Sequence, residues 1–91
     1  MRQSKTKKQI KKLVDGKCKF CNENDYSLLD VHRIIEGKDG GEYHEMNTIT
    51  VCALCHRKIH AGKIIVHRKH TTTLGLIILH YVGEDGLERF D

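Results

Sequence analysis

No stretch of this 91-residue chain holds about 18 consecutive apolar residues, so nothing in it is expected to span a membrane. No apolar segment follows the N-terminus, so the mark of a secretory leader is missing too. Both absences point to an intracellular, cytoplasmic chain. Thiols stay reduced there, so the four cysteines are expected to hold metal rather than form disulfides. There is no internal repeat and no low-complexity linker, which leaves one small domain. A chain this short buries a limited core and is expected to need staples. The glycine-bearing loop 37–46 lacks the phosphate-cradling pattern, which removes a nucleotide site from the expectations.

What is present is unevenly placed. The net charge is +4, yet residues 1–19 hold eight Lys or Arg against one Asp, while residues 20–91 hold eight against eleven acidic groups. The basic segment suits an acidic partner, for which nucleic acid is the commonest choice in a small intracellular chain. A solvated tail without a partner is the plain alternative. Seven histidines are also a high share for a domain with no use for metal.

The stretch 47–60, NTITVCALCHRKIH, concentrates that chemistry. Cys52 and Cys55 have C-x-x-C spacing, which lets two thiolates from one turn reach a single zinc. His56 and His60 stand four apart, on one helix face. Cys55 and His56 are about 100° apart around such a helix, so thiolates and imidazoles are expected to hold separate ions. Upstream, KCKFCN supplies a second pair, Cys18 and Cys21. Two such pairs predict a closed four-cysteine zinc site. The 30 residues between them must hold an inserted element that brings the chain back to the same ion.

The remaining elements fall around these pairs. Residues 1–16 predict a basic arm leading into a short helix, with Ile10, Leu13 and Val14 as an apolar stripe packed on the body. Lys7, Lys8, Lys11 and Lys12 are left to follow phosphates, giving affinity without sequence preference. Residues 23–36 predict a first strand, with Asp30 and His32 on one face and Leu29, Val31 and Arg33 on the other. A second strand is expected at 48–51 and a helix at 54–61, with Arg57 and Lys58 on its outer side and Ile59 packed inward. Residues 63–91 predict a β-rich tail with strands near 63–69, 74–82 and 87–90. Its His67, His70 and His80 read as structural or surface residues. The chain thus divides into an arm (1–16), a core (17–62) and a β extension of the same domain (63–91).

A strand with a histidine, a loop, a strand opened by Asn47 and a helix with histidines spell β-β-α. The ordered residues His32, Asn47 and His56, flanked by CKFC and VCALC, resemble the HNH endonuclease family in its form with two C-x-x-C knuckles. The resemblance covers roughly residues 17–62 and extends to phage, homing and restriction-type nucleases. It implies an α+β fold: a small zinc-stapled, treble-clef-like ββα-metal core with a basic N-terminal helix and a C-terminal β extension. It implies metal-dependent hydrolysis of DNA phosphodiesters, by an endonuclease or a nickase. The implied structural zinc ligands are Cys18, Cys21, Cys52 and Cys55. His32, His56 and His60 are the implied ligands of a catalytic divalent ion (Mg²⁺, Mn²⁺, Ni²⁺ or Zn²⁺). Asn47 would fix the strand–loop geometry. Lys7, Lys8, Lys11, Lys12, Arg33, Arg57 and Lys58 are the expected DNA contacts, and a homodimer would be needed for double-strand cuts.

One position departs from the pattern. Where many relatives place the general base, an ungapped alignment gives Arg33, which cannot accept a proton at neutral pH. Three readings stay open. In the first, His32 is the base. Its offsets of 15, 24 and 28 residues to Asn47, His56 and His60 resemble those of colicin-type members. Asp30 could then orient His32, and the helix histidines hold the ion. In the second, His32 is a ligand, Arg33 grips the phosphate and His44 or solvent supplies the base, which requires a bulge or strand end at Arg33. In the third, the site is degenerate and the domain is a zinc-containing DNA-binding module. A zinc-built adaptor without nucleic acid is a further rival.

Overall fold

A computed structural model describes residues 6–91; the first five residues of the expected basic arm lie outside it. Helix α1 (Lys7–Asp15) starts with a reciprocal cap. Thr6 Oγ1 accepts the Gln9 N–H at 3.2 Å and Gln9 Oε1 accepts the Thr6 N–H at 2.8 Å, satisfying two donors that the helix itself cannot. Gly16 closes the helix at φ 71°, a left-handed position open to glycine without a steric penalty.

The face that α1 presents to the body is not the expected one. Ile10, Leu13 and Val14 are 50%, 55% and 76% exposed, whereas Lys11 and Lys12 turn inward. Lys11 Nζ lies 2.8 Å from Glu45 Oε2 and 3.1 Å from Asp15 Oδ2. Lys12 Nζ sits 4.5 Å above the Tyr26 ring. Asp15 in turn accepts the Thr50 hydroxyl at 2.7 Å. Hydrogen bonds and ion pairs at the helix end therefore set its rotation, and a three-residue apolar stripe is too small to override them.

Strands β1 (Leu29–Arg33) and β2 (Thr48–Cys52) pair antiparallel in unbroken register, from Leu29 opposite Cys52 to Arg33 opposite Thr48. All of β2 is buried. Its two threonines remain satisfied, because Thr48 donates to the His44 carbonyl at 2.9 Å and Thr50 donates to Asp15. The chain passes directly from β2 into α2 (Ala53–His60), and Gly62 follows at φ 78°. Strands β3 (Ile65–Thr71), β4 (Ile77–Val82) and β5 (Glu88–Phe90) form a second antiparallel sheet in that order.

Cys18, Cys52 and Cys55 belong to the main buried cluster, together with Leu29, Ile49, Val51 and Leu79. Leu79 comes from β4, and Tyr81 beside it meets Phe20 edge-on at 4.9 Å, so the second sheet leans on the cysteine module. A core in which three of seven members are thiols has little apolar mass, consistent with a metal staple.

Glu45 ties these pieces together. It meets Lys11 of α1 on one side and Lys69 of β3, at 3.2 Å, on the other. Both lysine side chains are nearly buried, at 11% and 9% exposure. They shift in opposite senses. Burial works against the Lys11 ammonium, but Glu45 and Asp15 outweigh it and raise its pKa. Burial, aided by the charge of Lys11, wins at Lys69 and lowers it. Burial likewise opposes ionisation of Glu45, yet its two lysine partners hold its carboxyl below the ordinary 4.5. A lowered folded-state pKa stabilises the fold above that ordinary value and loses the effect as pH falls through the folded one. Glu45→Ala should therefore cost about 1–2 kcal/mol at neutral pH, discounted for the half-exposed carboxylate. Urea melts at neutral pH check this, and an unchanged midpoint would refute it.

Candidate functional site

The cysteine knuckles build the first centre. After Cys18 the chain turns back on itself. Asn22, at φ 63°, donates its N–H to the Cys18 carbonyl at 3.1 Å, and the Phe20 N–H points to Cys18 Sγ at 3.4 Å. Cys52 is the N-cap of α2, its Sγ accepting the Cys55 N–H at 3.3 Å. The two halves meet with Cys21 Sγ 3.4 Å from Cys52 Sγ. All four sulfurs lie within 4.8 Å of one another.

Their ionisation fits a cation site. Burial disfavours the Cys18 thiolate, but the N–H groups of Cys21, Cys52 and Phe20 outweigh it and bring its pKa down to about 7. Burial and the adjoining sulfurs push Cys55 up, and burial also raises Cys21. One thiolate forms readily, and Cys21 and Cys55 need a cation to share the charge. Four thiolates on two turns are the donor set of a closed tetrahedral zinc site.

Three imidazoles build the second centre. His32 comes from β1, and His56 and His60 from α2. The ring centroids of His32 lie 5.4 and 5.8 Å from those of His56 and His60. The Nε2 atoms of His56 and His60 are 3.1 Å apart. One nitrogen from each of the three rings falls within a 4.8 Å group. His56 Nδ1 stands 3.4 Å from Asp30 Oδ2, so the carboxylate orients His56 and not, as the strand pattern suggested, His32. A carboxylate only accepts, which places the proton on Nδ1 and leaves Nε2 free to bind a cation. Burial, reinforced by the two neighbouring imidazoles, holds His32 down to about 4, so its ring is uncharged at neutral pH. Cys55 and His56 are adjacent in sequence yet belong to different centres, as the helical rotation predicts.

Asn47 supports the strand that carries His32. Its Oδ1 accepts the Ile35 N–H at 2.8 Å, and its Nδ2 donates to the carbonyls of Ile35 at 3.1 Å and Glu42 at 2.9 Å. Gly41 lies in the same knot, where a Cβ would fall 1.6 Å from the Ile35 carbonyl oxygen. Asn47→Asp would set a carboxylate oxygen against two carbonyls. It should cost about 2–3 kcal/mol, and a thermal melt unchanged from the parent would refute the bracing role.

Arg33 ends β1 with its guanidinium 4.5 Å over the Tyr43 ring, in a cleft of about 390 Å³ that also reaches His32, His56 and His60. Lys8 and Lys38 line the same cleft. Lys38 and Tyr43 carried no sequence signal beyond their place in the glycine-rich loop. His44 is not among the residues lining the cleft; its Nδ1 accepts the Met46 N–H at 3.2 Å and caps the turn before β2. Of the other expected DNA contacts, Lys7 and Arg57 are exposed, Lys11 is held by Glu45, Lys12 covers Tyr26 and Lys58 pairs with Glu84. No helix among the described residues is long and apolar enough to cross a membrane.

A cysteine tetrad at one end of α2 and a histidine cluster between α2 and a two-stranded ribbon define a small ββα-metal fold of the kind found in nucleases. The chain belongs to the HNH endonuclease family, whose model matches residues 18–62. It is also similar to a protein named Anaredoxin from Nostoc sp., at 38% identity over 66 residues, covering 70% of this chain and 86% of that one. No solved structure matches the chain.

Proposed function

We propose that this chain is a metal-dependent DNA endonuclease or nickase, with zinc in the cysteine tetrad as a structural staple. The observation that carries the reading is the convergence of the imidazoles of His32, His56 and His60 on one point, with His56 oriented by Asp30. His56 and His60 would hold the divalent ion, which supplies charge stabilisation at the phosphoryl group and the departing 3′ oxygen. His32, on the strand across from them, takes the proton of the attacking water. A bond forms from the water oxygen to phosphorus, and the phosphorus–O3′ bond breaks with its electron pair on O3′, which takes a proton from solvent to leave a 3′-hydroxyl and a 5′-phosphate. Arg33, Lys8 and Lys38 face the same cleft and bind the phosphate.

The rival reading needs a bulge or strand end at Arg33, and β1 does end there, with Arg33 in the cleft. What favours His32 as the base is that the rival's own side-chain candidate, His44, caps a turn and does not line the cleft. Arg33 at the usual base position favours a second reading, a catalytically degenerate domain that binds DNA without cutting. The test incubates folded protein with supercoiled plasmid and Mg²⁺, Mn²⁺ or Ni²⁺. Open-circular or linear DNA should appear, which also tells a nickase from a double-strand cutter. Intact plasmid under all three ions would overturn the enzyme reading, and a mobility shift in the same mixtures would then support the binding module.

A further inference from the structure

The β extension carries a third group of ligating side chains, apart from the tetrad and the cleft. Strand β3 pairs with β4 through Val66 opposite Tyr81 and Arg68 opposite His80, so His67 is an extra residue in the ladder. Such a bulge bends the strand and re-aims the side chain it carries. Here it brings the His67 ring onto that of His80, with centroids 4.4 Å apart and planes 25° from parallel. On its other side His80 stacks on Phe90 of β5, at 4.3 Å and 9°. His80 Nε2 stands 3.2 Å from Glu88 Oε1. One nitrogen from each histidine and one Glu88 oxygen lie within 4.8 Å of one another.

The placement within the sheet separates this group from the core. Leu79 and Tyr81 of β4 pack inward, so His80 between them points to the opposite face. Its side chain is nevertheless only 19% exposed, held between the two flanking rings. A ring pinned on both sides loses little further freedom on binding an ion. Two imidazole nitrogens and one carboxylate oxygen suit a borderline cation such as zinc, with water completing the shell, whereas magnesium and calcium favour oxygen-only sites.

We propose that His67, His80 and Glu88 form a third metal site, taking Zn²⁺ or a cation of similar softness, which clips β5 to the other two strands. Strand β5 is three residues long and each of its residues is exposed, so beyond the Phe90 ring on His80 it has little packing of its own to hold it. The ion would draw one ligand from each of the three strands. This site does not depend on the nuclease reading, because it shares no residue with the cleft.

The test uses the full chain with its tetrad loaded and with His56→Ala and His60→Ala substitutions, which remove the cleft as a competing site. Zinc chloride alone is titrated, with bound metal measured after equilibrium dialysis and the histidine ring nitrogens followed by NMR. The expected result is one zinc beyond the tetrad, with shifts confined to His67 and His80. Adding Glu88→Gln or His67→Ala should weaken that binding by about tenfold or more, since even an outer-shell partner of a metal is worth that much. Amide exchange in β5 should slow on zinc addition in the parent and stay unchanged in Glu88→Gln. The site would be refuted by a stoichiometry that stops at the tetrad. Unchanged affinity in both added variants would refute it too, provided their thermal melts match the parent.

Discussion

Replacing His56 with alanine is expected to reduce plasmid nicking on the order of 10³-fold while the protein keeps its fold and the zinc of its tetrad. The two halves of this expectation rest on different features. His56 supplies one of the two helix nitrogens that converge in the cleft. Its contribution to the fold is small. The side chain is a quarter exposed, and its partner Asp30 is half exposed and returns to water when the imidazole is lost. Stability should therefore change by about 1 kcal/mol or less. Zinc content by mass spectrometry and nicking rates on the same preparation give the answer. Loss of the zinc along with activity would show that thiolates and imidazoles share one centre, and retained nicking would remove His56 from the chemistry.

A larger effect on the fold is expected from Cys52→Ser. Cys52 is both a tetrad member and the N-cap of α2. Serine preserves the cap, since its hydroxyl also accepts from a first-turn N–H. The substitution thus isolates the loss of the sulfur ligand. Structural zinc contributes on the order of 10–16 kcal/mol in small zinc modules. A domain of this size commonly has about 5–14 kcal/mol of net stability in total. The variant should consequently bind no zinc at the tetrad and show no cooperative thermal transition by circular dichroism. The parent should lose its transition on treatment with a strong chelator and keep it in dithiothreitol. A normal melt for Cys52→Ser would mean that the apolar core holds the fold without metal.

Much of this was legible because the residues concerned lie close in sequence and follow one period. Cys52, Cys55, His56 and His60 are spaced so that a helix start alone separates them into two centres. The strands at β1 and β2 and the place of Asn47 followed from β-branched content and the glycine loop. The misread elements depend on contacts between distant segments. The rotation of α1 is set by Glu45 and Thr50, 34 and 35 residues from their partners Lys11 and Asp15, and no helical periodicity encodes it. Asp30 and His32 share a strand face, yet the carboxylate meets His56 because α2 crosses beside it. The sequence reads His67, His70 and His80 as structural or surface residues, and the stacking of His67 on His80 comes from a bulge that leaves no mark in the composition of β3. Arg33 lies over Tyr43 because β1 ends there, and strand ends are the least certain part of any pattern-based reading.

The tetrad joins two pairs of cysteines across 30 intervening residues. Loop closure of that length is what a disulfide would accomplish, but the thermodynamic control differs. A disulfide answers to the redox potential around it. A zinc cross-link answers to the activity of the free ion, and each tenfold fall in that activity removes about 1.4 kcal/mol from the folded state by mass action. Residues 22–51, which hold His32 and Asn47, lie wholly inside the closed loop. On the proposed reading an unmetallated chain would keep neither of them opposite α2, and competence to cut would be a graded function of zinc supply, set before any nucleic acid is met.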